Sequence, residues 1–528
     1  MIGPLLAFRG CENQIWNVSI LVVIDRDKNE TPPILGRPNL QPLNPPQPFA
    51  KILNYEFIRF KLQIIQTDQQ QNIAYTINNQ EYTFIVPAAG QNPHILYTSC
   101  NRYDEERWVE TNGFQANWKT IVTQHKQAPF HINLGGGDQV YADDVLEIPI
   151  VRTNIKKSAL TVEEIKELDE TILNFYIKLY ISYISQPFYK DILASIPALN
   201  MLDDHEIFNN AGITTEFANN PLCKILFDHA YEIYMIFQNH TTTTEAKSLG
   251  YFGPNGRKNF SILRKAGDVY ILGMDIRGDI SKQSILPEDA RMLILDKLNT
   301  IPETATHLLI MSSIPIVFPE IRVLTRIVDS DTSKLQMPSL SDLVGLWGSY
   351  LLFEERDAFI QDILTFAKTR KEQNKPLRIT FLAGDTHMAS AGVVYKYKHT
   401  PFYKNPEYIL QLTSSGVGST FGKTRASQSY SQFFVLDALQ FFFQKKTRAE
   451  SNKNIKMQML HFDKKALLKI RNKNFFIAQR NWLTLRFADD KRKGITNIHA
   501  TLFAEHINSD INKDKKPVQY VMDIPGLL

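Results

Sequence analysis

The stretch PFHINLGGGDQVYADD, residues 129–144, runs from an apolar segment through three glycines to Asp138, Tyr141, Asp143 and Asp144. It admits three readings: a glycine loop cradling a phosphate, a backbone that must turn tightly, or a corner of a metal site. A Walker-type loop requires Gly-Lys-Ser/Thr, and none follows the glycines. A dinucleotide fingerprint requires a third glycine where Val140 stands. What remains is an apolar, strand-like run that ends in a carboxylate.

The rest of the chain repeats that form. HILYTSC ends on Cys100, and IPALNMLDDHE on Asp203, Asp204, His205 and Glu206. VYILGMDIR ends on Asp275 and Arg277, THLLIMSSIP on serines, LRITFLAGDTH on Asp385 and His387, and YILQLTSSG on a small polar loop. In an α/β sheet the C-terminal ends of the strands gather along one edge, where sites are built. Between the runs lie helical segments. TVEE (161–164) is a capping-box spelling ahead of ILNFYIKLYISYI, and residues 351–373 form an amphipathic pattern ending in basic residues. A layered α/β domain is the expectation.

The first 90 residues differ. WNVSILVVI (16–24), EFIRFKLQII (56–65) and QEYTFIVPA (80–88) are rich in β-branched and aromatic residues. The prolines of TPPILGRPNLQPLNPPQP (31–48) exclude helix and central strand, leaving a long loop or strap. With PAAGQNP (87–93) as punctuation, three regions are expected. They are a β-rich, sandwich-like domain (1–90), the layered α/β domain (91–430) and a helical and β extension packed on the core (431–528).

Composition limits the function classes. The 59 basic and 55 acidic residues nearly cancel to +4, so charge offers no argument for nucleic-acid binding. Three cysteines cannot make a disulfide framework. No basic leader with an apolar core, twin-arginine pair or run of about 18 apolar residues occurs, so a cytoplasmic location without a transmembrane segment is expected. FFVLDALQFFF (433–443) is short and interrupted by Asp437, which suits a buried helix.

Asp, His, Cys and Tyr hold metal ions through oxygen, nitrogen and sulfur. Asp138, Asp204, Asp385 and His387 suit a multi-metal hydrolase in which carboxylates bridge cations about 3.5–4 Å apart. His205, beside Asp204, is placed to protonate a leaving oxygen. No GxSxG elbow supports a serine hydrolase. Cys100 as a nucleophile would have its pKa raised, not lowered, by neighbouring carboxylates unless a metal were present.

GGGDQVYADD, LDDHEIFNN (202–210) and AGDTHMAS (383–390) resemble signatures of the alkaline phosphatase D (PhoD-like) family of metallophosphatases. TSCNR, GMDIRG and DLVGLWGSYLLFEERDAF (342–359) fall around them in the family's order, so that the resemblance covers roughly residues 94–425. It implies a four-layer α/β/β/α sandwich, with the β-rich N-terminal domain ahead of it. It also implies hydrolysis of phosphomonoesters or phosphodiesters by metal-activated hydroxide, with a phosphate ester as the partner. The cofactors implied are Fe3+ and Ca2+, with Zn2+ or Mn2+ as other candidates. On this resemblance Cys100 and Tyr141 are thiolate and phenolate ligands, Asp138 bridges, Asp203 adds a calcium contact, and Asp204, Asp385 and His387 complete the metal site. His205 binds phosphate or acts as general acid, and Arg277 grips a phosphate oxygen. The MSSIP loop offers no equivalent of a histidine ligand found in broader metallophosphatases, and the first loop lacks Asp-x-His. The alternative is a non-catalytic, partner-binding relative that uses the same core as a scaffold.

Overall fold

The apolar runs pair into two large sheets. The structure, a computed structural model, describes all residues except 29, 31–32, 37–47, 103–114, 212–219, 282–283, 319–346, 348–351, 397–399, 419–454, 461–475 and 506–515. The ten-stranded sheet has the spatial order Val518–Ile524, Ile495–Ala504, Asn481–Asp490, Ile95–Thr98, Ile132–Gly135, Ala198–Asn200, Ile2–Glu12, Ile15–Asp25, Tyr55–Ile65 and Pro48–Ile52. Its centre is parallel: Ile95–Thr98, Ile132–Gly135 and Ala198–Asn200 run side by side, and Ile2–Glu12 joins them in the same direction. The second sheet has a parallel centre of Val269–Gly273, His307–Ser312, Arg378–Ala383 and Tyr408–Thr413.

Alternation along these strands defines the layers. Leu309 and Met311 pack into the core shared with the first sheet, whereas Leu308 and Ile310 pack with Ile294, Phe359 and Ile363 of helices Glu288–Leu298 and Phe353–Glu372. Both faces of the second sheet are therefore covered, which is why His307–Ser312 and Arg378–Ala383 read as continuous buried runs. Helices Gln115–Gln127, Val162–Ile184 and Pro221–Asn239 contribute Trp118, Ile172 and Ile233 to the core of the first sheet. The result is the expected α/β/β/α sandwich. Thr161 and Glu164 form the expected capping box, each side chain meeting the other's backbone N–H.

The region before residue 90 is β-rich, but its long strands do not form a separate core. Ile2–Glu12 pairs in parallel with Ala198–Asn200, with Ala7 opposite Ala198. Leu5, Val22 and Phe57 lie in the same cluster as Ile132 and Leu134. Alternating apolar residues sufficed to identify strands, but nothing local says which sheet they join. Only Leu35–Gly36, Gln71–Ile77 and Gln80–Val86 make a small sheet of their own. The C-terminal strands also complete the main sheets: Lys456–Leu460 and Phe476–Ile477 pair with Ala389–Tyr395, and Asn481–Asp490 pairs with Ile95–Thr98. Buried Arg378 fastens this end, donating to the carbonyls of Phe402, Asn405, Tyr408 and Pro525. The helix expected at 433–443 and most of the proline strap lie outside the described residues. Among the described residues, no helix is long and apolar enough to cross a membrane.

Because Ile2–Glu12 is built into the ten-stranded sheet, a fragment of residues 91–528 should fail to fold. It should lack the near-ultraviolet circular dichroism and cooperative melting of the full chain. A fragment that melts sharply with native dichroism would show that the rest of the α/β core is independent of these strands.

Candidate active site

Seven strand ends meet where the two sheets face each other. From the first sheet come Cys100, Asp138 and the Asp203–Glu206 turn. The second sheet delivers Asp275 and Arg277, Ser312 and Ser313, Asp385 and His387, and Ser414 and Ser415. Backbone bonds join the two edges: Gly416 and Val417 donate to the carbonyl of Ser99 at 3.2 and 3.0 Å, and Gly418 donates to that of Cys100 at 3.2 Å.

The glycines are explained by this crowding. A Cβ on Gly135 would stand 2.1 Å from Asn200 Oδ1, and one on Gly136 would stand 2.0 Å from the Tyr97 hydroxyl. Gly137 has φ +100°, and its Cβ would come within 2.6 Å of Asp203 Cβ. The run is a tight backbone that delivers Asp138. Cys100, Asp138, Asp385 and His387 themselves adopt left-handed φ of +55°, +57°, +66° and +51°. Such positions cost on the order of 1 kcal/mol or more each and cluster at functional sites.

The side chains of these residues converge. The Tyr141 hydroxyl lies 3.3 Å from Asp138 Oδ2 and 3.0 Å from His387 Nε2. Cys100 Sγ lies 3.6 Å from Asp138 Oδ2 and 3.0 Å from Ser415 Oγ. Three overlapping sets bring their ligand atoms within 4.8 Å of one another: Cys100, Asp138 and His387; Asp138, Asp204 and His205; and Asp203, Asp204 and Asp385. Asp138 and Asp204 each belong to two sets, as bridging carboxylates would. Arg277 is buried among the acids, its Nε 2.5 Å from Asp203 Oδ1, its Nη2 3.3 Å from Asp204 Oδ1 and 3.9 Å from Asp385. All nine residues expected at the site are thus brought together. Two of Arg277's donors are already engaged by carboxylates, which leaves Nη1 for other partners.

Electrostatics shows how unbalanced this cluster is. Burial, then Asp203, Cys100, Asp204 and Glu206, push the Asp138 carboxyl well above the usual range. Burial also raises Asp203 against the pull of Arg277. The Cys100 thiol is pushed up to about 12, mainly by burial, with Ser415 and Ser99 opposing and nearby acids adding a smaller push. Burial, helped by His205 and Arg102, lowers His387 to about 3 and keeps its imidazole neutral. Among the described residues, Asp203 Oδ2 is buried without a hydrogen-bond partner. Crowded acids, a neutral imidazole, a thiol, a phenol and an unmatched carboxylate oxygen form a donor set that fits cations.

Two residues carry roles that the sequence reading did not assign. Glu206 Oε2 accepts the N–H groups of Asp138 and Asp203, both at 2.9 Å, while Oε1 accepts Gln139 N–H at 2.6 Å and Gln238 Nε2 at 3.2 Å. Asp143 Oδ1 and Oδ2 lie 2.8 and 3.0 Å from His205 Nδ1. Their signals were the fourth letter of DDHE and an acid five residues after Asp138. Asp275 builds the turn before Arg277, accepting N–H groups from Phe260, Arg277 and Gly278. Trp347 packs against Phe359 as a core residue, and Tyr350 lies outside the described residues.

Sheets, layers and site edge together define an α/β metallophosphatase-like fold with a candidate metal site. The family model for PhoD related phosphatases matches residues 66–351, more than half of the chain, and the chain belongs to that family. It is 27% identical over 404 residues to the Saccharomyces cerevisiae protein YGR266W, itself uncharacterized, covering 64% of this chain and 56% of that one. This chain therefore spans just over half the length of that relative. The solved structure of PhoD aligns with a TM-score of 0.52 at 13% identity, covering 95% of this chain and 90% of the other, a likeness of fold.

Glu206→Gln should leave at least one buried N–H without an acceptor, costing about 1–3 kcal/mol. A lower denaturation midpoint together with weaker metal retention is expected. An unchanged midpoint would remove Glu206 from its organising role.

Proposed function

We propose that this protein is a metal-dependent phosphoesterase that hydrolyses phosphomonoesters or phosphodiesters. The observation that carries this reading is the row of three donor sets sharing Asp138 and Asp204, with His205 beside them. Cys100, Asp138, Tyr141 and His387 would hold one cation, and their thiolate and phenolate chemistry suits ferric iron. Asp203, Asp204 and Asp385 would hold a second through oxygen, as Ca2+ prefers; Zn2+ or Mn2+ are also compatible with the combined set. When bound, such cations supply Lewis acidity and lower the pKa of water.

The chain's own residues do the rest. Asp143 accepts from His205 Nδ1–H, which fixes the tautomer and leaves Nε2 to exchange a proton with the leaving oxygen. The imidazole is held against the Tyr141 ring, centroids 4.2 Å apart, so it cannot swing freely. Arg277 neutralises part of the acidic floor and can turn Nη1 to a phosphate oxygen.

With iron and calcium supplied, purified protein should turn over p-nitrophenyl phosphate or bis-p-nitrophenyl phosphate. His205→Ala should lower kcat by about 10²- to 10⁴-fold, and Asp138→Asn should abolish turnover, both with unchanged far-ultraviolet dichroism. Failure of the wild type on both esters would favour the non-catalytic scaffold; retention of most activity in Asp138→Asn would sink this site. The metal assignment has its own test. Ferric iron bound through Tyr141 should give a visible charge-transfer band that Tyr141→Phe removes, and a colourless, iron-free, fully active enzyme would reject it.

A further inference from the structure

We propose that Arg102 determines substrate class, recognising the second negative charge of a phosphomonoester and thereby favouring monoesters over diesters. The inference rests on the phosphoesterase reading above. The guanidinium carbon of Arg102 stands 5.5 Å from the centroid of the Tyr141 ring. The hydroxyl of that same ring reaches Asp138 and His387. Tyr141 therefore links the donor cluster to a second arginine, which is half-buried where Arg277 is fully buried.

The two arginines have different electrostatic surroundings. Arg277 meets Asp203 and Asp204 directly, and its charge offsets the acids of the floor. Among the described residues no carboxylate pairs with Arg102. Asp143, the acid paired with His205, is engaged by His205 Nδ1 and by the Asn209 N–H, each at 2.8 Å. Held next to the donor set, this guanidinium is suited to an anion brought by the substrate. Its planar fork matches two non-bridging phosphate oxygens.

The backbone of Arg102 is also pre-set. Asn101 N–H donates to the Asp138 carbonyl at 2.7 Å, and Asn101 Oδ1 accepts the Trp118 indole N–H at 2.9 Å. On the other side, a Cβ on Gly418 would come within 2.7 Å of the Arg102 carbonyl oxygen. The arginine thus emerges from a clamped segment two residues after Cys100, which limits the ordering cost of recognition. A monoester dianion offers a second charge and a further free oxygen that a diester lacks.

The experiment compares kcat/KM for p-nitrophenyl phosphate and bis-p-nitrophenyl phosphate in metal-loaded full-length wild type, Arg102→Ala, Arg102→Gln and Arg102→Lys. It adds the inhibition constant of inorganic phosphate. Loss of a charge-assisted contact predicts that the monoester-to-diester ratio falls about 10- to 100-fold in Arg102→Ala and Arg102→Gln. Phosphate inhibition should weaken in parallel, and Arg102→Lys should recover part of both. An equal loss on the two esters would assign Arg102 to propping Tyr141 and overturn the proposal, as would an unchanged ratio. Wild type inactive on both esters would overturn the phosphoesterase reading itself, an outcome separate from a failure of Arg102 alone.

Discussion

The carboxylate of Glu206 is the constraint on which the site depends. It accepts four N–H groups, three from two strand-end segments and one from Gln238 of helix Pro221–Asn239, and two of them belong to Asp138 and Asp203. Without it, those amides would be buried and unmatched, at about 1–3 kcal/mol each. The bonds also hold Asp138 in its left-handed conformation, so one acid supplies the backbone geometry from which another presents its side chain. Burial raises Glu206 itself to about 7 despite these donors. The protein accepts a costly buried acid because no neutral side chain offers the same four-fold acceptance.

A second constraint is the excess of negative charge. Asp203, Asp204 and Asp385 surround buried Arg277, and burial drives Asp138 and Asp203 towards protonation. A group of acids this close is unfavourable unless positive charge enters it. Arg277 supplies part of that charge as a fixed component of the floor. The remainder explains why Cys100, Tyr141 and His387 sit within reach of the same oxygens: each becomes useful as a donor once a cation is present.

Much of this was legible in the chain because it is a local signal. Each apolar run ended on its polar residue, and a parallel sheet must gather such ends on one edge, so Cys100, Asp138, Asp204, Asp385 and His387 could be grouped before any contact was known. The capping box at Thr161 was equally local. What escaped depends on long-range pairing. Alternation marks Ile2–Glu12 as a strand but does not say that it pairs beside Ala198–Asn200 rather than in a separate sandwich. Glu206 and Asp143 are ordinary acids in sequence, and their roles appear only when partners 67 and 62 residues away arrive. The raised pKa of Cys100 was expected from neighbouring acids, but burial is the larger cause.

On the proposed function, the arrangement separates two tasks of a phosphate site. The floor, from Arg277 through the shared carboxylates, is buried and closely packed, so its geometry tolerates little change. The Tyr141 ring, by contrast, is packed against His205 on one contact and lies under Arg102 on another, while its hydroxyl reaches the floor. Motion or replacement at Arg102 therefore alters what meets the substrate without disturbing the bonds to Glu206.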